Sequence, residues 1–175
     1  MSERKRYFGK YRGTVTVNVD PEQRGRIQVE VPDVLFEIPS TWAEACVPLA
    51  GSTGFPMGMY VVPPVGAAVW VEFEHGDPNL PVWVGCRFPS SSDVPSSATE
   101  GVPGDANIII QSLAKHFIMI SDVPGEGGIT LQSSSGAQIV VTDIGITLSS
   151  GDGGTTIEMT EASVDINSGT LTVMA

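Results

Sequence analysis

Four polar residues near the middle of the chain have the chemistry of an acid-base site. Two carboxylates beside an imidazole are groups that hydrolases use, and this cluster contains Glu72, Glu74, His75 and Asp77. The two glutamates alternate with Val71 and Phe73, so we expect them on the outer face of a strand. The run Gly76-Asp77-Pro78 has the composition of a turn. We therefore interpret the cluster as a solvated strand end and predict no catalytic residues and no enzymatic activity.

The sequence also gives little support to a metal or phosphate site. The turn at 151–154 contains one acid, Asp152, whereas calcium takes roughly 6 to 8 oxygen ligands. The glycine-rich residues 125–128 lack the lysine and the following helix of a phosphate-binding loop. We predict that the protein holds no metal ion and no cofactor.

The composition favours strands and turns over helices. The 175 residues, 18.4 kDa in all, include 20 Gly and 13 Pro, and only 17% are charged. This length holds one domain with an added module, but not two enzymes. The net charge of −11 opposes contact with the phosphates of nucleic acid. We predict an all-β protein that does not bind nucleic acid.

Targeting and redox signals are weak. No stretch reaches the ~18 to 20 apolar residues of a membrane helix, and the first residues are not followed by an apolar signal core. We therefore expect a soluble protein that is made in the cytoplasm. Cys46 and Cys86 are too few for a disulfide scaffold, and both lie in apolar, strand-like surroundings. We expect two reduced, buried thiols.

The distribution of aromatic and charged residues divides the chain into modules. Eleven of the twelve aromatic residues precede residue 89, and seven of the nine basic residues lie within residues 1–26. Residues 89–104 are rich in Ser, Pro and Gly, which is typical of a linker. We predict a basic N-terminal arm at 1–9, a barrel at 10–88, a linker at 89–104 and a β-structured needle at 105–175.

The barrel module shows the period of two that half-buried strands have. Val15, Val17 and Val19 alternate with polar residues, and the same pattern recurs at residues 27–31 and 69–73. Residues 42–47 and 81–88 supply two further strands, and Asp20 to Gly25 form a tight connection. About five strands in this length predict a small barrel of the OB-fold type.

The C-terminal module consists of short apolar triplets separated by turns. From Ile108 onward, 24 of 68 residues are Ile, Val or Thr, and aligning Ile129 with Ile146 and Val164 gives a repeat of 17 to 18 residues. About three or four such repeats without an aromatic residue give an apolar seam that one chain cannot seal, so we predict an intertwined trimeric β-helix in which sister chains satisfy the strand edges. One register puts these residues in the trimer core: Ile129, Leu131, Ile146, Leu148, Ile157, Val164 and Ile166.

The first module resembles the OB-fold domain of central spike proteins in contractile injection machines, which include phage baseplate assembly protein V and the type VI secretion spike. The resemblance covers residues 10–88. Its most specific pieces occur in order along the chain. They are Asp20-Pro-x-x-x-Gly25-Arg26, Pro63-Pro64-x-Gly66 and Phe73-Glu74-x-Gly76-Asp77-Pro78-x-x-Pro81-Val82.

The resemblance implies a homotrimer with a hub protein of the baseplate above the barrel and a needle that pierces the target envelope mechanically. Some members end in a His-x-His iron site, whereas His75 and His116 lie far apart here. We therefore expect a separate tip protein at the C-terminal end. No lysozyme-like insertion follows residue 88, so any wall digestion would need another component. The particle would be a phage tail or a phage-tail-like assembly.

The basic arm is the candidate docking site for the hub. It mixes cationic and aromatic side chains, and the residues proposed for docking are Arg4, Arg6, Tyr7, Phe8 and Arg12. A mobile, solubilising terminus is the competing interpretation.

Two other functions stay open from the sequence. One is a monomeric OB-fold module that binds polysaccharide or oligonucleotide, and the other is an envelope-degrading enzyme. The oligomeric mass separates the spike from the monomeric module, and an assay of glycan hydrolysis tests the enzyme.

Overall fold

The protein is described by a computed structural model that covers residues 5–52, 54–100, 104, 107–123 and 127–174. The chain separates into two compact units, residues 1–91 and 92–175, and almost all of its regular structure is β. In the described part of the chain, no helix is long and apolar enough to cross a membrane.

The N-terminal unit is a curled five-stranded sheet with a small two-stranded ribbon. The sheet has the order β2-β1-β6-β7-β3. Its strands are β1 (Tyr11–Val17), β2 (Gln28–Glu30), β3 (Glu44–Ala45), β6 (Ala68–Phe73) and β7 (Pro81–Cys86), the ribbon pairs β4 (Ala50–Ser52) with β5 (Pro56–Gly58), and a four-residue helix, α1 (Pro32–Leu35), follows β2.

A single bridge brings the two edges of this sheet together. Ile27, next to β2, pairs with Ala43, next to β3, so the five strands form a ring. The predicted OB-type barrel is therefore confirmed.

The barrel has an apolar interior. The alternating residues of β1, β2 and β6 point inward, and Val15, Val29, Val69 and Val71 are at most 1% exposed. Trp83 is a buried member of this core, and its indole N–H donates to the carbonyl of Gly25 at 3.1 Å.

Several local predictions for this unit are wrong. Val19 lies beyond the end of β1 and is 78% exposed, because the chain turns at Asp20. Cys46 and Cys86 have free thiols and are exposed, because they lie at the ends of short strands instead of in the core. The strand expected at 42–47 is only two residues long.

The C-terminal unit is an eight-stranded antiparallel meander whose strands follow chain order. Each predicted apolar triplet lies in one strand. The strands are β8 (Ile108–Gln111), β9 (Phe117–Ser121), β10 (Gly128–Gln132), β11 (Gln138–Thr142), β12 (Gly145–Ser149), β13 (Thr156–Thr160), β14 (Ser163–Ile166) and β15 (Leu171–Met174). Before β8, the stretch predicted as a linker contains two 3-10 turns, Ser91–Asp93 and Ser96–Ala98.

The register of the meander places two apolar residues of every strand in two continuous columns. Directly paired residues share a face, so each column lies on one side of the sheet. The first column is Ile108, Ile120, Ile129, Val141, Ile146, Met159, Val164 and Val173, and the second is Ile110, Ile118, Leu131, Ile139, Leu148, Ile157, Ile166 and Leu171. We call this surface the apolar face.

Strand pairing in the meander differs from the expectation in one respect. Short turns connect consecutive strands, so neighbouring strands of the same chain make the ladder that was assigned to sister chains. The two-residue connection between Thr142 and Gly145 enforces this pairing, because it returns the chain directly beside itself.

Candidate functional site

The apolar face of the meander is a candidate interaction site. No described residue of the meander is buried, and Ile129 and Leu131 remain 47% and 42% exposed. The N-terminal unit also exposes aliphatic residues such as Val19 and Ile38, but it has a buried aliphatic core, which the described residues of the meander lack. A continuous apolar surface of this kind marks a binding site, because water would otherwise cover it.

All seven residues predicted for the trimer core lie on the apolar face. Ile129, Ile146 and Val164 belong to the first column, and the other four belong to the second. The prediction took its residues from four of the eight strands, β10, β12, β13 and β14. It missed partners such as Ile139 and Met159, although their period-two spacing within the triplets was already a signal. The register shows which residues share a face, and their place in a trimer core stays a prediction.

The opposite face of the meander is mixed in character. Its central column runs through Ile109, Met119, Thr130, Val140, Thr147, Glu158 and Asp165. Threonine and acidic residues are compatible with water, whereas the apolar face has no charged member. Because the two faces differ in polarity, a partner would cover the apolar face.

Two glycines allow the strands of the meander to lie close together. Gly128 and Gly145 occupy equivalent positions of the repeat, with φ near 145° and 154°. A Cβ at Gly145 would lie 2.2 Å from the carbonyl oxygen of Met159, and Gly128 has the same relation to Val141. Only glycine fits this approach, so the repeat includes a backbone requirement as well as an apolar pattern.

The loop between β1 and β2 is organised by a buried carboxylate. Asp20 accepts hydrogen bonds from the backbone N–H groups of Glu22, Arg24 and Arg26. Its oxygens also receive the Arg26 guanidinium at 3.1 Å from Nε and 2.7 Å from Nη2. The Arg26 guanidinium in turn lies over the ring of Trp42, 5.7 Å from its centroid.

The electrostatics of this loop follow from that geometry. The Arg26 guanidinium, with the backbone N–H donors, holds the pKa of the Asp20 carboxyl well below its usual range against the opposing effect of burial. Asp20 likewise raises the pKa of Arg26. The pair is thus a fixed structural clamp at the Asp-Pro-x-x-x-Gly-Arg motif, a role that the sequence pattern alone did not reveal.

The N-terminal arm is anchored on the barrel from residue 6 onward. Arg6 donates from Nη1 to the carbonyl of His75, and the Tyr7 N–H donates to Gly76, both at 2.9 Å. The ring of Tyr7 lies beside Phe73. This contradicts a freely mobile arm for these residues, whereas Phe8 stays 70% exposed.

The remaining predicted docking residues fall in two places. The side chain of Arg12 is exposed on β1, whereas Arg4 lies outside the described residues. Their role in hub docking stays a prediction.

The supposed acid-base cluster is dispersed into local contacts. Glu72 forms an ion pair with Lys10, and Asp77 accepts from the backbone and side-chain amides of Asn79 at 3.0 and 2.9 Å. His75 lies in a 3-10 turn, Glu74–Gly76. Across the described ranges, no group of three His, Cys, Asp or Glu side chains could hold a metal ion.

Two family models match the chain, one for each unit. The model of the type VI secretion system/phage-baseplate injector OB domain matches residues 11–88. The model of the phage baseplate V C-terminal trimerisation domain matches residues 107–172. The chain belongs to the spike family of phage baseplates and type VI secretion systems. A search of curated proteins finds no match.

Family membership agrees with the geometry of both units. The OB domain of the spike family coincides with the five-stranded ring, and the trimerisation domain coincides with the meander. The apolar face thus belongs to a domain whose family role is trimerisation.

Proposed function

We propose that this protein is the homotrimeric, non-enzymatic central spike of a contractile injection particle. In this proposal, three C-terminal units turn their apolar faces toward a common axis and form a closed needle. One observation carries it: two unbroken apolar columns run over eight strands without a buried residue in the described part of the meander. Since each chain is identical, closed threefold symmetry covers all three faces at once.

Burial of the apolar faces supplies the driving force for assembly. A fully buried aliphatic side chain contributes on the order of 1.5 to 3 kcal/mol, and every strand brings two. Each exposed Ile or Leu therefore adds to the stability of the trimer, while one chain alone leaves the columns in water.

The same arrangement supports a mechanical role. The antiparallel ladder of each chain cross-links strand to strand, and a dry apolar interior resists compression. A needle of this kind can transmit the force of sheath contraction and pierce an envelope without catalysis. A separate tip protein at the C-terminal end and a hub next to the barrel complete the proposed assembly.

The N-terminal arm is the proposed contact with the hub. Tyr7 and Arg6 fix the arm to the barrel, while Phe8 and Arg12 remain exposed as an aromatic and a cationic contact. Purified particles carrying Phe8→Ala with Arg12→Ala should contain less spike than wild-type particles. Equal incorporation would contradict hub docking through these residues.

The molar mass of the purified chain tests the proposal against a monomeric OB-fold binding module. Light scattering at low micromolar concentration should give about three times the 18.4 kDa of one chain. A mass of one chain would contradict the spike. Peptidoglycan and glycan hydrolysis should both be absent, and turnover by the pure trimer would contradict the non-enzymatic role.

A further inference from the structure

The two sides of the meander, where its strands turn, have different chemistry. On one side the turns fall at residues 112–116, 133–137, 150–155 and 167–170, and the last three of them are rich in Ser and Gly. On the other side each turn begins with an acid, and these acids are Asp122, Asp143 and Glu161. We call them the Ser/Gly side and the acidic side.

The acidic side presents its carboxylates outward. Asp122, Asp143 and Glu161 are exposed, and the residue before each one is Ser or Thr. These hydroxyls close the turns: Thr142 Oγ1 accepts from the N–H of Ile144 at 3.3 Å, and Thr160 Oγ1 accepts from Ser163 at 3.3 Å. Because a hydroxyl performs the local capping, the carboxylates project as acceptors for another group.

The Ser/Gly side offers donors at the complementary places. It contains the hydroxyls of Ser134 and Ser135 and the ammonium of Lys115, which is the single basic residue of 101–175. Lys115 is exposed and stands in a turn fixed by its own N–H bond to Ser112 at 2.9 Å. Asp152 is the acid on this side.

The spacing of the turns also makes the two sides complementary in shape. Consecutive strands lie roughly 4.8 Å apart, so turns on one side are separated by roughly 10 Å. Turns on the other side fall at the intermediate heights, because the meander alternates direction at every strand. In a ring of identical chains, one side of each chain meets the other side of the next chain.

We propose that the acidic side of each chain interlocks with the Ser/Gly side of a second copy, so that turns of the two chains alternate along each corner of the trimer. Carboxylates of one chain accept from hydroxyls of the next, and Asp122 pairs with Lys115. This inference rests on the proposed trimer. It adds that the contact between neighbouring chains runs head-to-tail around the threefold axis. The contact also fixes the relative height of the chains along that axis.

Cross-linking of cysteines on opposite sides tests this contact directly. In a Cys46→Ser, Cys86→Ser background, Ser135→Cys with Asp143→Cys places one thiol on each side. The two positions of one chain are separated by the five residues of β11, roughly 16 Å of extended backbone. A short bismaleimide should therefore join neighbouring chains, and most protein should run as a covalent trimer on a denaturing gel.

A pair of cysteines on the acidic side alone is the matched control. Asp143→Cys with Glu161→Cys lies on the acidic side alone, so its cross-links should stay within one chain. If light scattering shows a trimer but the opposite-side pair gives only monomer, the interlocking is wrong and the spike proposal stands. If the protein that carries only Cys46→Ser and Cys86→Ser is a monomer, both the interlocking and the spike proposal are wrong.

A charge exchange gives a second measurement that needs no cross-linker. Lys115→Glu should shift trimer dissociation to several-fold higher protein concentration, and adding Asp122→Lys should restore most of the loss. Within one chain, β9 separates these residues, so rescue requires contact between chains. Full loss without rescue would overturn the pairing.

Discussion

At the residue scale, the barrel depends on one buried ion pair. The side chains of Asp20 and Arg26 are 2% and 11% exposed, and Asp20 also orders three backbone N–H groups. Removing one member of such a pair leaves the other without its partner, whereas surface pairs contribute little. The Asp20–Arg26 pair in the motif at 20–26 is therefore expected to stabilise the barrel.

Asp20→Asn should lower the thermal midpoint of the barrel by several degrees, because Arg26 would remain buried beside a neutral group. Glu22→Gln is the matched control: Glu22 also pairs with Arg26, at 3.0 Å, but its side chain is 59% exposed. Scanning calorimetry compares the two. Similar midpoints for both variants would contradict the role given to Asp20.

The Asp20 carboxylate should also make the stability of the barrel depend on pH. The folded pKa of Asp20 lies below its ordinary value, so its contribution is present above about pH 4 and is lost as pH falls toward the folded pKa. Wild-type protein should thus lose more stability than Asp20→Asn on acidification below pH 4. Denaturant titrations from about pH 6 downward measure the free energy of unfolding of both proteins. If the two free energies fall in parallel as pH decreases, this mechanism is contradicted.

At the element scale, the repeat of the meander requires glycine where strands approach closely. Gly145→Ala would place a methyl group 2.2 Å from a backbone oxygen of β13, so β12 and β13 would have to separate. We expect loss of the C-terminal transition in calorimetry with the barrel transition retained.

Gly153→Ala is the control for that substitution. Gly153 also has a positive φ, 68°, but a Cβ there meets nothing within 4 Å. Its cost should be about 1 kcal/mol, as for a left-handed residue without a clash. Equal effects of the two variants would show that the close approach at Gly145 is unimportant.

The sequence predicted those elements whose pattern is repeated or strictly alternating. The triplets gave all eight C-terminal strands, since residues such as Ile146 and Leu148 must share a face. The β4–β5 ribbon was missed, because its Gly, Pro and Met residues carry no strand signal. Pairing within the chain was missed as well, since a period states which residues repeat but not which strand lies beside which.

Burial at strand ends and long-range ion pairs were equally hard to predict. Cys86 looks like a core residue by its neighbours, yet β7 ends there and exposes it. The contact of Asp20 with Arg26 depends on how the loop folds back, which residue types alone do not specify. The clamp is thus a product of backbone geometry.

At the scale of the whole molecule, the two units differ in whether one chain alone buries their apolar residues. The barrel contains all the buried apolar residues among the described ones, so one chain is enough to form its core. The meander has order without a core, and its family is one of trimerisation domains. In the spike proposed above, the barrel would anchor the molecule as a self-sufficient unit, and the needle would stiffen only on assembly.

The most direct test of the trimeric needle compares two adjacent substitutions. Leu148→Asp places a carboxylate on the apolar face, and in a closed trimer three such charges would meet in a dry interior. Thr147→Asp places the same group on the opposite face of the same strand. By light scattering, Thr147→Asp should keep the mass of three chains while Leu148→Asp falls to that of one. A Leu148→Asp protein that remains trimeric would contradict the inward-facing apolar columns.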